Sequence, residues 1–152
     1  RAQGIEPIIL GDAIEGEARQ VAAEQAALAL EHSKSGKPVA LISGGETTVT
    51  VRGNGRGGRN AEFLLAMAIA LNGAAGVHAI ACDTDGIDGS EDNAGAYLGP
   101  DSIEIAQKAG VEASALLDNN DGYSFFEATG GLIKTGPTLT NVNDFRAILE
   151  MP

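Results

Sequence analysis

The chain has 152 residues, 43% of them hydrophobic, and it carries 10 Lys and Arg residues against 21 Asp and Glu residues. A chain of this length forms one domain that buries roughly 68–70% of the surface its unfolded form exposes, so a core of ordinary size is expected. The formal charge of −11 repels nucleic acid and anionic membrane surfaces, which excludes both as partners.

Cysteine usage and hydropathy indicate the compartment. Cys82 is the one cysteine and lies inside an apolar run, so the sequence predicts no disulfide and no zinc site and favours a reducing, cytoplasmic environment. No apolar run reaches the roughly 18 residues of a membrane span, and residues 1–14 show no secretory pattern. Because the chain begins with Arg1 rather than Met, a fragment or a processed product is expected.

Apolar runs separated by glycine and polar turns predict alternating strands and helices. The first helix is expected to follow a Gly11-Asp12 turn, with Asp12 and Glu15 as its capping box. The run at 60–72 is apolar almost all round, which predicts a helix buried on most sides. In chain order we predict a strand at 7–10, a helix at about 15–33, a hairpin of strands at 39–42 and 48–52 joined by residues 43–46, the helix at 60–72, a strand at 77–82, short helices between 100 and 110, at 113–117 and at 123–128, and final strands at 132–134 and 145–149.

This alternation predicts a single-domain α/β fold with a mixed, mostly parallel sheet and helices on both faces. The predicted hairpin around residues 43–46 is what makes the sheet mixed. We divide the chain into a lead-in strand and helix at 1–36 and a domain body at 37–152. Self-association as a homo-oligomer is left open.

The first candidate for chemistry is the segment Gly53-Asn-Gly-Arg-Gly-Gly-Arg-Asn60. Glycine lets the backbone approach a ligand closely, and arginine makes charge-assisted contacts with phosphate or carboxylate. The spacing of Gly53, Gly55 and Gly58 also fits the dinucleotide pattern G-x-G-x-x-G, although Asp83 lies further along than the acid which that pattern requires. The alternative is a flexible surface loop with solvated arginines. The predicted phosphate or substrate ligands in this segment are Gly55, Arg56, Gly57, Gly58 and Asn60.

The second candidate is the run Asp83-Thr-Asp-Gly-Ile-Asp-Gly89, at the carboxyl end of a buried strand. Three close carboxylates repel one another unless a cation shares them, and Mg²⁺ usually takes one or two carboxylates plus phosphate oxygens and water. Asp85 and Asp88 are the predicted metal ligands. The alternative is a turn with Asx hydrogen bonds and a helix cap.

The third candidate is the loop Thr135-Gly-Pro-Thr-Leu-Thr-Asn-Val-Asn-Asp144, in which Thr138, Asn141 and Asn143 are predicted to bind substrate or phosphate. We expect this loop and residues 83–89 to lie side by side at one edge of the sheet. The glycine loop at 53–58 is expected to be mobile, because few apolar groups hold it. The run at 119–122 is interpreted as an ordinary turn, and neither histidine lies near a polar motif.

Five segments taken together carry a resemblance to a known family. The chain resembles the C-terminal region of class II glycerate 2-kinases, called the MOFRL domain, whose members are often labelled hydroxypyruvate reductase. The resemblance covers nearly the whole chain. The segments, in order, are Gly11-Asp12 with Glu15-Gly-Glu-Ala-Arg19, Ser43-Gly-Gly-Glu-Thr-Thr48, Gly57-Gly-Arg-Asn-Ala-Glu62, Thr84-Asp-Gly-Ile-Asp-Gly89 and Thr135 to Asp144.

The resemblance implies an enzyme that transfers the γ-phosphoryl group of ATP to the 2-hydroxyl of D-glycerate. By resemblance, an N-terminal domain absent from this chain supplies a catalytic lysine and much of the nucleotide site, and this domain forms one wall of an interdomain cleft. Arg59 would then be catalytic, with its guanidinium pointing into the open cleft rather than into a structural salt bridge, and Asp85 and Asp88 would lie near Mg²⁺ or the phosphates. The alternatives are an NAD(P)H-dependent hydroxypyruvate reductase and a non-catalytic binding or oligomerisation module.

Overall fold

The computed structural model describes residues 4–151, so both ends of the predicted 1–152 domain lie outside the described residues. Strands and helices alternate in the first half of the chain, and three short helices precede the last two strands. The elements are β1 (Glu6–Glu17), α1 (Ala18–Ser33), β2 (Val39–Thr48), α2 (Arg59–Leu71), β3 (Val77–Asp83), β4 (Gly95–Leu98), α3 (Ser102–Lys108), α4 (Ala113–Asp118), α5 (Gly122–Thr129), β5 (Leu132–Ile133) and β6 (Asp144–Glu150).

The strands form one six-stranded mixed sheet in the order β1-β2-β6-β3-β4-β5, which confirms the α/β class and the mixed sheet. The expectation of a mostly parallel sheet is wrong. Only β1 and β2 run parallel, whereas the other four neighbouring pairs are antiparallel. The physical reason is β6, which inserts between β2 and β3 and runs opposite to both.

The helices cover one face of the sheet rather than both faces. The row Leu41, Ile148, Ala79 and Leu98 crosses four neighbouring strands and is at most 3% exposed, packed in one core with the apolar residues of α1 and α2. The adjacent row on the opposite face is open at its ends, where Ile9 is 67% exposed and Tyr97 is 44% exposed.

Helix α2 lies at the centre of the helical layer, as its sequence predicts. It packs against α1, α3, α4 and α5 as well as against β3 and β4. Phe63, Leu64, Leu65 and Met67 are fully buried. Because a helix that is apolar on every side needs cover on every side, the other helices gather around α2 and leave the far face of the sheet open.

The predicted turn and helix start near Asp12 are wrong, because β1 continues to Glu17 and α1 begins at Ala18. Bulges around Gly11, which has a φ of 150°, keep the strand paired with β2 across the break. The hairpin predicted around residues 43–46 is also wrong, since β2 runs unbroken from Val39 to Thr48 and pairs with β6. Glycines that resemble turns in the sequence here lie inside strands.

The remaining predicted elements are found within a few residues of their expected bounds, but the four-residue strand β4 was not predicted. The first-helix capping box is replaced by Glu17, which takes the N-cap position of α1 without a side-chain hydrogen bond. Within residues 4–151, no helix is both long enough and apolar enough to cross a membrane.

The polar ends of three neighbouring strands, β2, β6 and β3, lie side by side at one end of the sheet. Asp83 at the end of β3 pairs with Asp144 at the start of β6, which in turn pairs with Gly45 near the end of β2. Thr84 and Asn143 continue this contact, because the Thr84 N–H donates to the Asn143 carbonyl at 3.1 Å. The prediction that residues 83–89 and 135–144 lie side by side is therefore confirmed.

Gly45 gives a direct test of the β1–β2 arrangement. A Cβ at this residue would lie 2.3 Å from the backbone N and O of Ile14, and the φ of Gly45 is +124°. Replacing Gly45 with Ala should therefore lower the free energy of unfolding by about 2–5 kcal/mol, measured by urea denaturation. Gly36→Ala is the matched control, because Gly36 also has positive φ but a Cβ added there would meet nothing within 4 Å. The control should lose only about 1–2 kcal/mol, and equal losses in the two variants would contradict this packing.

Candidate functional site

Asp144 is the centre of a buried ionic network at the polar edge of the sheet. Its carboxylate accepts hydrogen bonds from Arg59 Nε at 3.0 Å, Asn60 Nδ2 at 2.8 Å and Arg146 Nη2 at 2.6 Å. The side chains of Asp144 and Arg146 are both fully buried. A buried charge is tolerated only when it is paired and hydrogen-bonded, so these residues fix one another's positions.

Arg59 lies at the first residue of α2, and the structure corrects the expectation that it avoids salt bridges. Besides Asp144, it contacts Asp83 at 2.6 Å and Glu46 at 3.6 Å. Burial acts to lower the pKa of Arg59, but the hydrogen bond and charge of Asp144 and the charges of Asp83 and Glu46 outweigh burial and raise it. Its side chain remains 25% exposed. Arg59 is therefore a permanently charged, firmly held group with part of its surface open.

Asp88, a predicted metal ligand, is fully buried and caps α2. Its Oδ1 accepts from the Asn60 N–H at 3.0 Å and its Oδ2 accepts from the Ala61 N–H at 2.8 Å. Burial raises the pKa of Asp88 to about 6, against the lowering effect of these hydrogen bonds. The sequence left open a cap on a helix that follows the turn, whereas Asp88 caps the earlier helix α2.

The glycine loop at 53–58 is fastened by polar contacts that were not expected from the sequence, and its mobility stays a prediction. Asn119, Asn120 and Asp121 each accept backbone N–H bonds from residues 52–56 through Oδ1, and the Asn119 carbonyl accepts from Gly55 N–H at 2.9 Å. A Cβ added at Gly53 or at Gly55 would lie 2.4 Å from atoms of this turn. The run at 119–121 is thus a clamp on the loop and not an ordinary turn.

Arg56 and Arg59, which are separated by Gly57 and Gly58, face different surroundings. The Arg56 guanidinium lies 4.4 Å from the centre of the Tyr123 ring and pairs with Glu127 at 3.1 Å. Its side chain is 47% exposed, and it does not line the pocket that Arg59 lines. Arg56 therefore stacks on α5, outside the predicted phosphate site.

A pocket of about 270 Å³ opens between the glycine loop and the end of β2. Val49 and Val51 form its apolar side. The polar lining includes two residues that the sequence did not indicate, Glu62 and Asn120. The predicted ligands Gly55, Gly57 and Gly58 line the pocket together with Arg59. Asn60 does not line it, because its amide and N–H are bound to Asp88 and Asp144.

Asp85 lies in a second, wide-open depression beside the 135–143 loop, lined also by Thr140 and Asn141. Its Oδ1 accepts from the Ile87 N–H at 2.9 Å. The two regions are linked through Asp83, whose Oδ1 accepts from the Asp85 N–H and whose Oδ2 accepts from Arg59. Asp85 and Arg59 therefore flank the same carboxylate.

The other predicted ligands in the 135–143 loop are exposed, and most of their hydrogen bonds are to nearby backbone groups. The Thr138 hydroxyl donates to the Thr84 carbonyl, and Asn141 Oδ1 accepts from the Asn143 N–H at 2.9 Å. Within residues 4–151, no group of three or more His, Cys, Asp or Glu side chains is arranged to hold a metal ion. A cation at this edge would need oxygen ligands from its substrate or from water.

Comparison with known proteins identifies the family, because the model of the MOFRL family matches residues 39–144. The chain belongs to the MOFRL family. The resemblance seen in the sequence motifs is therefore confirmed, and the matched range contains all of α2, β3 and the 135–143 loop.

Relatives of this MOFRL chain carry two kinds of name. It is 55% identical to a "Putative hydroxypyruvate reductase" of Agrobacterium vitis over 96% of this chain and 35% of that protein. It is 48% identical to the D-glycerate 2-kinase of Thermotoga maritima over 71% of this chain and 26% of that protein. A crystal structure of glycerate kinase from Thermotoga maritima superposes with a TM-score of 0.94 at 39% identity, covering 98% of this chain and 37% of that one. The MOFRL chain thus spans about a third or less of the length of these two curated relatives.

The buried cap at Asp88 predicts a specific pH dependence. Because the folded pKa is raised to about 6, above the ordinary value of 3.8, the folded state binds more protons than the unfolded state between about pH 4 and pH 6. This carboxyl therefore lowers stability as pH rises through that window, with a slope of at most about 1.4 kcal/mol per pH unit, and has no further effect above it.

Asp88→Asn should remove this contribution, so the stability difference between wild type and variant should change between pH 4 and 6 and be constant from 7 to 8. Urea denaturation at each pH measures the free energy of unfolding of the two proteins and so gives this difference. The Asn variant keeps an acceptor for one of the two N–H groups, so it is expected to fold. If the free energies of unfolding of the two proteins changed in parallel with pH, Asp88 would have an ordinary pKa. That result would contradict its position as a buried cap.

Proposed function

We propose that this chain is the C-terminal domain of an ATP-dependent glycerate 2-kinase and that it forms one wall of an interdomain cleft. The observation that carries the proposal is the held guanidinium of Arg59, which lines a pocket beside the glycine loop. Kinase names among the relatives support the reaction class. A partner domain of the same polypeptide would complete the cleft.

Arg59 is suited to phosphoryl transfer because its orientation is fixed before a ligand arrives. Asp144 holds its Nε, and Asp83 holds its Nη2. Catalysis of phosphoryl transfer depends on positioning and on neutralising the charge that develops on the phosphoryl oxygens. A guanidinium that needs no reorganisation supplies both, and its remaining N–H groups can bind a phosphoryl or carboxylate oxygen.

The glycine loop offers further donors at the same pocket. Within residues 4–151, no hydrogen bond uses the N–H of Gly57 or Gly58, although both residues line the pocket. Backbone N–H groups on a fixed loop bind anions well. In this proposal Gly57, Gly58 and Arg59 bind the anionic groups. Gly55 shapes the loop, and Arg56 and Asn60 have structural roles.

ATP and Mg²⁺ are part of the proposal. Asp85 fits a cation that takes one protein carboxylate and completes its shell with phosphate oxygens and water, since Asp85 Oδ2 accepts no hydrogen bond from residues 4–151. Asp88 does not fit, because both its oxygens cap α2. The cation would neutralise phosphate charge. Thr138 and Asn143 hold the adjacent loop in place, and Asn141 lines the depression beside Asp85.

The reductase is the second candidate, because two relatives from Agrobacterium vitis carry that name. A dinucleotide fold places the pyrophosphate on free N–H groups at a helix N-terminus. At α2 the N–H groups of Asn60 and Ala61 are already bound by the Asp88 carboxylate. This cap occupies two of the helix N-terminal donors on which a dinucleotide pyrophosphate would lie, and so favours the kinase.

The kinase proposal is tested on the full-length parent protein. With D-glycerate and ATP we expect ADP formation that requires Mg²⁺, and with hydroxypyruvate and NADH or NADPH we expect no oxidation of the cofactor. Glycerate-dependent ADP release is read by a coupled assay. Cofactor oxidation without ADP formation would replace the kinase with the reductase.

Arg59→Lys in the parent should lower kcat by about tenfold or more, because lysine keeps the charge but loses the planar fork. Some loss of stability is also expected, since the fork joins Asp83 and Asp144. Arg56→Lys is the matched control, because Arg56 is half exposed and stacks outside the pocket. Kinetics are compared at a temperature at which both variants are folded. An Arg59→Lys enzyme with an unchanged kcat would remove Arg59 from the mechanism.

A further inference from the structure

Glu62 is a buried carboxylate with one oxygen still available. Its side chain is 3% exposed, and it lines the same pocket as Arg59. Arg19 Nε and Asn120 Nδ2 both donate to Oε1. Within residues 4–151, no hydrogen bond reaches Oε2, and Oε2 is not among the fully buried polar atoms that lack a partner. Oε2 is therefore not fully buried, and it belongs to a residue that lines the pocket.

Two distant elements hold this carboxylate in one orientation. Arg19, from α1, also donates to the Leu117 carbonyl at the end of α4. Asn120 also accepts from the N–H groups of Arg52 and Gly53 through Oδ1, at 2.7 and 3.0 Å. Since both donors are themselves fixed, Glu62 cannot turn Oε2 away without breaking its contacts to Arg19 and to Asn120. A fixed orientation is one requirement of an acid or base group.

Arg59 and Glu62 therefore give the pocket two groups of opposite charge. Arg59, with the N–H groups of Gly57 and Gly58, attracts anionic groups. Glu62 repels an anion but accepts a hydrogen bond from a neutral hydroxyl. A small hydroxy acid, with one carboxylate and adjacent hydroxyls, matches this pair of groups.

We propose that Glu62 binds the hydroxyl that receives the phosphoryl group and acts as its general base, an inference that rests on the proposed function. The proton of the hydroxyl passes to Glu62 Oε2 as the bond between the hydroxyl oxygen and the γ-phosphorus forms. The bond from the γ-phosphorus to the bridging oxygen of ATP breaks, and ADP leaves with that electron pair. Glu62 is then a catalytic residue, and Arg19 and Asn120 are positioning residues.

The kinetic test uses Glu62→Gln in the full-length parent, which preserves shape but removes the base. A general base contributes about 10²–10⁴-fold, so kcat should fall at least about 100-fold while KM changes less than about threefold. Asp118→Asn is the control. Asp118 is 85% exposed, its Oδ1 lies 4.0 Å from Nη1 of the same Arg19, and it does not line the pocket, so the substitution should leave kcat and KM unchanged.

Glu62→Asp covers the case in which the Gln variant does not fold, because it keeps a charge for Arg19. It should lower kcat at least about tenfold through its shorter reach. A Gln variant that folds and keeps kcat within threefold of wild type would overturn the role of Glu62. So would an Asp variant with wild-type kcat.

A binding test separates this inference from the proposed function. D-glycerate and 3-hydroxypropanoate, which lacks the 2-hydroxyl, are titrated calorimetrically into wild type and Glu62→Ala. Wild type should prefer D-glycerate by about tenfold or more, and the Ala variant should show less than threefold preference. A parent that phosphorylates D-glycerate but binds both acids equally would overturn the role of Glu62 alone. A parent that prefers D-glycerate but transfers no phosphoryl group would support hydroxyl binding by Glu62 and overturn the kinase.

Discussion

The buried carboxylate of Asp144 binds Arg146 of its own strand and Arg59 and Asn60 at the start of α2. Removing one partner from such a buried pair typically destabilises a protein by about 3–5 kcal/mol, because the remaining charge is left without compensation. One group therefore holds the start of β6 to the start of α2, and Arg59 extends the contact to Asp83 at the end of β3. The position of Arg59, and with it the shape of the pocket, depends on this contact.

This arrangement joins stability and function at one edge of the sheet. Asp83 and Asp144 are paired residues of neighbouring strands, and both contact Arg59. Asp88 holds the N-terminus of α2 from the following loop, which keeps Arg59 at a fixed point in space. The glycine loop is held from the opposite side by residues 119–121. The groups proposed to bind ligands thus lie on rigid elements and on a fastened loop, which is the preorganisation that the proposed phosphoryl transfer requires.

Local patterns in the sequence predicted those parts of the fold that depend on neighbouring residues. The apolar run at 60–72 defined α2, and the acidic segment after β3 and the loop before β6 were correctly expected to meet. The order of the strands could not be predicted, because β6 joins partners about 65 and 100 residues away in the chain. Gly11 and Gly45 resemble turn residues, yet each lies in a strand at a point where neighbouring backbone or side chains come close.

The sequence indicated some residues of the candidate pocket and missed others. Arg59 and the glycines were selected from residue type, but the carboxylates that hold Arg59 are 24 and 85 residues away in sequence. Glu62 ends one of the motifs that carry the family resemblance, yet no local pattern marks its second oxygen. The sequence did contain a signal for the clamp at residues 119–121. Asn119, Asn120 and Asp121 are three successive side chains of the kind that accept backbone N–H bonds, and such a run favours a loop contact as well as a turn.

The most direct measurement is a crystal structure of the full-length parent with D-glycerate and a non-hydrolysable ATP analogue. We expect an anionic oxygen of a ligand within hydrogen-bonding distance of Arg59, with the contacts from Arg59 to Asp144 and Asp83 intact. We also expect the 2-hydroxyl of D-glycerate to face the glycine-loop pocket. Ligands bound at another surface of this domain, or an Arg59 that must leave Asp144 to reach them, would contradict the central claim.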